Sequence, residues 1–248
     1  MSTALLQRIL SGARNAVFFG GAGVSTPSGI PDFRSATGLY ALSSGSSRPP
    51  EYMLSRSCWR DHPEDFYDFY RTYLLHPQAR PNRAHRALAS LEKSGVLSAV
   101  VTQNIDGLHQ LAGSRTVFEL HGSVLRNHCV DCGHRFPLAA VANSTGIPRC
   151  SHCQGIIKPD VVLYEEPLEA QVMEAALEAI RAADVLLVGG TSLNVHPAAG
   201  LVDHFTGEHL VLINKSATPA DRRAQLVIHD SIDTVLGDAV DSVQGVTS

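Results

Sequence analysis

Residues 15–35 read NAVFFGGAGVSTPSGIPDFRS, an apolar run followed at once by Gly20, Gly21 and Gly23. An uninterrupted apolar run of this length suits a strand buried on both faces. Glycines directly after such a strand let backbone N–H groups approach a phosphate, and the N-terminus of a following helix adds positive dipole. Tight packing of the turn is the plainer use of the same glycines. The familiar dinucleotide fingerprint would also want a third glycine in register and an acidic residue about 20 positions on; neither is present. Thr26, Asp32, Phe33 and Arg34 nevertheless bring a hydroxyl, a carboxylate, an aromatic face and a guanidinium close together. A pure packing turn needs none of them.

Outward from this stretch, the strand-and-helix rhythm repeats. SAVV (98–101), TVFEL (116–120), DVLLVGG (184–190), HLVLIN (209–214) and LVIH (226–229) read as further strands buried on both faces. HRALASLEKSG (85–95), ending on Gly95, EAQVMEAALEAIRAA (169–183) and SIDTVLGDAV (231–240) carry helical spacing. The N-terminal MSTALLQRILSGARN places Leu5, Leu6, Ile9 and Leu10 on one helix face, and its apolar run is too short and interrupted for a signal peptide or a membrane span. Alternation of this kind predicts an α/β fold, a parallel sheet with helices on both faces. Two stretches break the rhythm: 35–80, with SSGSSRPP and the aromatic-rich EDFYDFYRTYLL, and 126–157, with most of the cysteines. They are read as additions, helical or loop in the first case and a metal module in the second, to a main part made of 1–34, 81–125 and 158–248.

CVDC and CSHC supply Cys129, Cys132, Cys150 and Cys153, with seventeen residues between the two pairs. Two CxxC knuckles at this separation predict a tetrahedral Zn²⁺ site, and four thiolates leave no open position, so the zinc is expected to be structural. The segment between them, HRFPLAAVANSTGIPR, could not bury four thiols in an apolar core. His128, His134 and His152 stand nearby as spare donors, and Cys58 is expected to be a packed or partly exposed thiol without a role.

Polar residues gather at the ends of the expected strands. VVTQNIDGLHQLAG (100–113) carries Thr102, Gln103, Asn104 and Asp106 straight out of a buried run. His121 follows the next strand, Thr191 and Ser192 follow VGG, and Asn214 closes HLVLIN. In open parallel sheets ligands bind outside the carboxyl ends of the strands, which is where all of these fall. Across 248 residues the formal net charge of −4 gives no footprint for nucleic acid or an anionic membrane, and 44% apolar with 18% charged residues reads as an ordinary globular chain. A cytoplasmic monomer is the expectation.

GAGVSTPSGIPDFR, TQNIDGLHQLAG, ELHG around His121, the paired CxxC, KPDVV, GTSLNVHPAAG and LIN, in this order and spacing, resemble the sirtuins, NAD-dependent protein-lysine deacylases, over about residues 13–240. The resemblance implies a Rossmann-like doubly wound parallel sheet with a small zinc-binding and helical second domain. It implies that Ala22, Thr26 and Arg34 hold NAD phosphates and ribose, and that Phe33 covers the nicotinamide pocket. Gln103 and Asn104 would bond around the nicotinamide ribose, and Ile105 and Asp106 would receive the carboxamide. Thr191, Ser192 and Asn214 would serve the phosphate and adenosine end, and Ile232 would make an adenine contact partly through its backbone. Asn104 and His121 would be catalytic, with His121 as general base. NAD is then a co-substrate: the acetyl oxygen attacks C1′ of its ribose, and nicotinamide, O-acetyl-ADP-ribose and free lysine result. The remaining histidines are expected at the surface or in packing, and Arg80, Arg83 and Arg86 on a solvated helix face.

Two departures bear on substrate choice. The family commonly has Phe-Gly-Glu or Trp-Gly-Glu after KPDVV, where this chain has Tyr164-Glu165-Glu166. An acetylated protein substrate is expected to pair there as an extended strand, between this segment and Leu193–Val195. Members that remove succinyl or malonyl groups carry Tyr-x-x-Arg; here Tyr67 is followed at that spacing by Tyr70, with Arg71 one position late. An off-register arginine points elsewhere on a helix, so an uncharged acyl group, acetyl first, is expected. The alternatives are another uncharged acyl group, mono-ADP-ribosyl transfer to protein, and a zinc-bearing interaction module without activity.

Overall fold

The computed structural model describes residues 2–33, 35–45 and 48–243. Among them the strands are β1 (Ala16–Gly20), β2 (Leu97–Thr102), β3 (Val117–Glu119), β4 (Gly122–Cys129), β5 (Arg135–Pro137), β6 (Ile157–Val161), β7 (Val185–Gly189), β8 (His209–Ile213) and β9 (Leu226–Ile228). The helices that frame the sheets and the site are α1 (Ser2–Gly12), α2 (Pro63–Tyr73), α3 (Arg83–Lys93), α4 (Leu108–Ala112), α5 (Ala170–Ala182) and α6 (Ile232–Val243). None is long and apolar enough to cross a membrane.

Six strands make one sheet in the order β3-β2-β1-β7-β8-β9, every neighbour parallel. The chain starts in the middle and winds outward on both sides, so its switch point falls between β1 and β7. The apolar runs have no polar alternation because both faces are covered. Ala16 and Phe18 of β1 join Leu187 of β7 and Val211 of β8 in a core closed by Leu6 and Leu10 of α1, Leu88 of α3 and Leu236 of α6. Val17, Phe19, Leu186 and Leu212 point the other way, into a core with Ile180 of α5 and Leu201. The edge strands depart from the expected burial on both faces: all of β3, and Val227 and Ile228 of β9, are only half-buried. An edge strand has a neighbour on one side alone, so less of it can be covered.

Asn82 starts α3 with a capping box, its carboxamide oxygen accepting from Ala84 N at 2.9 Å while Asn82 N donates to His85 Nδ1 at 3.3 Å. The same side chain donates to Val24 O at 2.8 Å and to Ser28 Oγ at 2.9 Å, which pins the loop after β1 to α3. Arg83 reaches from its helix face to Asp238 and Asp241 of α6, both at 2.8 Å.

A third core joins the two stretches that break the rhythm. Phe66, Tyr67, Phe69 and Tyr70 of α2 pack with Val124, Val141, Ile157 and Leu163. Strands β5-β4-β6 form a separate antiparallel sheet there, running from Gly122 to Val161 and so wider than the cysteine-bearing 126–157.

His85 and His109 are completely buried behind the β1 loop, ring centroids 4.8 Å apart, and neither ring nitrogen of His109 has a hydrogen-bond partner among the described residues. Burial, reinforced by Arg86 in one case and by the other imidazole in the second, pushes His85 down to about 4 and His109 down to about 3 from 6.5. Both are neutral in the fold while the unfolded chain takes up protons below pH 6.5, so stability is lost as pH falls from 6.5 through 4 to 3. At pH 5 the loss is about 2 kcal/mol per histidine. Urea midpoints measured at pH 7.5 and pH 5 should therefore separate widely in the wild type and by about half as much in His109→Leu; equal separations would refute the assignment.

Candidate active site and metal centre

The loops after β1 and β7 interlock through their backbones. Gly21 N donates to Gly189 O at 3.3 Å, Gly23 N to Gly190 O at 2.8 Å, and Gly190 N to Ile213 O at 3.2 Å. A Cβ on Gly23 would lie 2.8 Å from Gly190 Cα, and one on Gly190, left-handed at φ 61°, would lie 2.4 Å from Val24 N. Side chains are thus excluded at the switch point, which leaves a floor of main chain. These three N–H groups are already donated to carbonyls, so what the floor offers a pyrophosphate is close approach to the main chain, not these donors themselves.

The end of β2 supplies the polar wall. Gln103 N donates to Gly20 O at 2.9 Å, which places this turn beside the β1 loop. Gln103 Oε1 accepts from Thr191 Oγ1 at 2.9 Å, while its buried Nε2 has no partner among the described residues. A buried amide donor without an acceptor is destabilising by roughly 1–3 kcal/mol, so a ligand oxygen there suits it. Asn104, 9% exposed, donates through Nδ2 to Ser25 Oγ at 3.1 Å, and Ser25 Oγ donates to Asp106 Oδ2 at 2.6 Å. Leu108 N donates to the other carboxylate oxygen at 2.9 Å. Burial raises Asp106, and these two hydrogen bonds oppose the rise.

His121 sits between β3 and β4, with Nδ1 2.8 Å from Gln103 O. A carbonyl only accepts, so Nδ1 carries the proton and Nε2 presents the lone pair. Burial lowers the His121 pKa below 6.5, partly offset by the Gln103 carbonyl. A neutral imidazole with its outer nitrogen unprotonated can act as a general base at neutral pH.

The other expected residues are placed as follows. Ala22 is half-buried in the β1 loop, and Thr26 Oγ1 turns back to Gly23 O at 3.1 Å. Phe33 and Ile105 pack against the third core, and Ile105 O accepts from Val124 N at 2.9 Å. Thr191 is buried and Ser192 exposed. Asn214 Nδ2 donates to Ser216 O at 2.9 Å. Ile232 is 3% exposed, its side chain set under Gly189 in the core, which leaves its backbone as the part a ligand could reach. Arg34 lies outside the described residues. Ser25, 1% exposed and bonded to both Asn104 and Asp106, carries no signal of its own in the sequence, where a hydroxyl among Gly and Pro reads as a turn former.

The four expected cysteines converge, their Sγ atoms all within 4.8 Å of one another. Cys129 and Cys153 are 3.4 Å apart, and Cys132 and Cys150 3.7 Å, with none in a disulfide. A tetrahedron with Zn–S near 2.3 Å has edges of about 3.8 Å, so the donor set fits one zinc. Left-handed Gly133 (φ 71°) and Gln154 (φ 64°) close the knuckles, with Gly133 N bonded to Cys129 O and Gln154 N to Cys150 O, both at 2.9 Å. His134 and His152 lie against each other, ring centroids 3.8 Å apart and tilted by 34°, and His128 pairs with Asp160; none joins the cluster. Cys129 and Cys150 also belong to the third core, so an ion here would tie two hairpins into that core.

The chain is similar to several known proteins. The family model described as "Sir2 family" matches residues 21–197. A protein of Cutibacterium acnes named "NAD-dependent protein deacetylase" is 60% identical over 222 residues, 90% of this chain and 91% of that one. One of the same name from Clostridium perfringens is 56% identical over 237 residues, 95% and 97% of the two chains. The solved structure of a Sir2 with p53 peptide and NAD+ is 36% identical, with a TM-score of 0.87 over 100% of both chains.

Elemental analysis of the purified chain should return one zinc per molecule. Cys150→Ser, at a buried ligand, should lose it and lower the melting temperature by more than about 5 °C, as loss of a structural metal does in small modules. A Cys150→Ser variant as stable as wild type would show that the cluster holds nothing.

Proposed function

The chain belongs to the Sir2 family, and on that premise we propose that it removes acetyl groups from lysine side chains of proteins and consumes NAD, giving nicotinamide, O-acetyl-ADP-ribose and free lysine. The observation that carries this is the His121 ring, locked through Nδ1 to Gln103 O with Nε2 unbonded among the described residues, beside Asn104, Asp106 and the glycine floor.

Bound NAD would supply an electrophilic ribose carbon, C1′, once nicotinamide leaves. Around it, Ala22, Thr26 and Arg34 hold phosphate and ribose, Phe33 closes over nicotinamide, and Ile105 and Asp106 receive its carboxamide. Gln103 offers its spare Nε2 to the ribose side, and Asn104 is held by Ser25 so that little rearrangement is needed on binding. Thr191, Ser192 and Asn214 take the phosphate and adenosine end, with Ile232 contributing backbone. His121 Nε2 removes a proton from a ribose hydroxyl, which lets that oxygen attack the transferred acetyl group. Cys129, Cys132, Cys150 and Cys153 hold one zinc away from this chemistry.

The substrate lies as an extended peptide in the cleft between the main part (1–34, 81–125, 158–248) and the small part (35–80, 126–157). It pairs with Tyr164–Glu166 on one side and Leu193–Val195 on the other. An uncharged acyl group is supported by the side chains of α2. Tyr67 Oη donates to Ile157 O at 2.7 Å and accepts from Trp59 Nε1 at 2.9 Å. Arg71 is taken up by Ser144 Oγ, Gly146 O and Asp68. Neither offers itself to an acyl carboxylate. The net charge of −4 gives no attraction for nucleic acid or an anionic membrane, and we take the chain to act as a monomer of the cytoplasm.

Mass spectrometry of an acetyl-lysine peptide with NAD should show loss of acetyl and formation of O-acetyl-ADP-ribose with wild type, and at least a 10²-fold slower reaction with His121→Ala. The rate should stay level through pH 6.5 and fall only on further acidification, as His121, its pKa lowered by burial, becomes protonated. ADP-ribose appearing on the peptide, with acetyl retained, would overturn the reading. On peptides alike except for the acyl group, acetyl should be removed at least about tenfold faster than succinyl; the reverse order would sink the acyl assignment.

A further inference from the structure

Glu165 occupies a backbone conformation that favours glycine, φ 74°. Nothing about a glutamate makes this turn easy, so the surroundings must hold it. One carboxylate oxygen, Oε2, accepts from Ser57 N at 2.9 Å and from Ser57 Oγ at 2.7 Å. Immediately before it, Tyr164 pairs as an isolated parallel bridge with Ser55: Tyr164 N donates to Leu54 O at 3.1 Å, and Arg56 N donates to Tyr164 O at 3.0 Å. The Tyr164 side chain is bonded to the Tyr40 hydroxyl, which also donates to Glu51. Immediately after, Glu166 accepts from Leu163 N at 2.9 Å and pairs with Lys158 at 3.2 Å. The segment starts at the base itself, because Val162 N donates to His121 O at 2.9 Å. Residues 163–166 are thus a short strap that leaves His121 and is tied down on Tyr40 and on residues 51–57.

We propose that Glu165 is a positioning residue for the acylated peptide: its carboxylate, clasped by Ser57, does by hydrogen bonding what glycine would do by conformational freedom, and so fixes the strap's outward backbone for pairing with substrate. This rests on the deacetylase reading. The clasp lies on the peptide side of His121, whereas the glycine floor is reached from β1 and β7. Loss of the clasp therefore weakens peptide binding and leaves NAD binding and the chemical step alone. Removal of the carboxylate with the Cβ retained should be worst, since the left-handed turn then stays strained and untied. Glycine removes clasp and strain together, and glutamine keeps an oxygen for Ser57 to donate to.

The test is steady-state kinetics of the full chain with an acetyl-lysine peptide and NAD, for wild type, Glu165→Ala, Glu165→Gly and Glu165→Gln, with circular dichroism to establish that each is folded. Glu165→Ala should raise KM for peptide about fivefold, Glu165→Gly less, and Glu165→Gln by under twofold, with kcat and KM for NAD within twofold of wild type throughout. An unchanged KM for peptide in Glu165→Ala overturns the inference, as does a fall in kcat equal to the rise in KM. Should Glu165→Ala misfold, the order of Gly against Gln decides alone, and a KM for peptide in Glu165→Gln at or above that of Glu165→Gly overturns it. Absence of deacetylation by wild type on any peptide would instead defeat the functional reading.

Discussion

Everything at the candidate site depends on two turns being able to touch. Gly23 N reaches Gly190 O at 2.8 Å only because neither residue carries a side chain. That contact joins the C-terminal ends of β1 and β7, the neighbouring strands between which the sheet reverses its winding. Once they are joined, Gln103 falls against both, since its amide bonds Gly20 O and its side chain bonds Thr191. His121 then follows from Gln103, whose carbonyl sets the imidazole. A packing constraint among glycines is thereby transmitted, through main-chain hydrogen bonds, to the orientation of a base. The two cores on either side of the sheet make the frame stiff enough for this to matter, because close-packed interiors do not deform continuously.

The electrostatics of the pocket are those of a place with little water. Ser25 relays between Asn104 and Asp106, and His85 lies 3.5 Å from the same hydroxyl with His109 behind it. Burial pushes the carboxylate up and all three imidazoles down, in each case against the charged form. Only His121 pairs that neutrality with a ring nitrogen left open toward the candidate ligand. His85 and His109 serve as shape behind the loop, at the expense of acid stability.

The sheet was legible in the sequence because burial on both faces leaves runs such as VLLV without alternation; at a surface, half of such a run would lie in water. The cysteines were legible because spacing within a CxxC is set by the metal, not by the fold. What could not be read is what the chain's own folding creates. The half-burial of β3 and β9 follows from their place at the edges, which is a property of strand order. Ser25 gains its meaning from Asn104 and Asp106, about eighty positions away. The left-handed turn at Glu165 is invisible to local propensity, because Ser57, more than a hundred residues earlier in the chain, is what holds it.

The partner of His121 Nδ1 is a carbonyl of the main chain, and no codon change can take it away. Where a carboxylate side chain orients a histidine, a single substitution can abolish the arrangement or flip the tautomer. Here inheritance has no such handle. Relatives that share the turn can drift in every side chain around the ring and still keep its reactive nitrogen facing the same way. Evolution of catalytic power in this pocket is therefore confined to tuning how dry the imidazole is, and leaves which way it faces to the backbone.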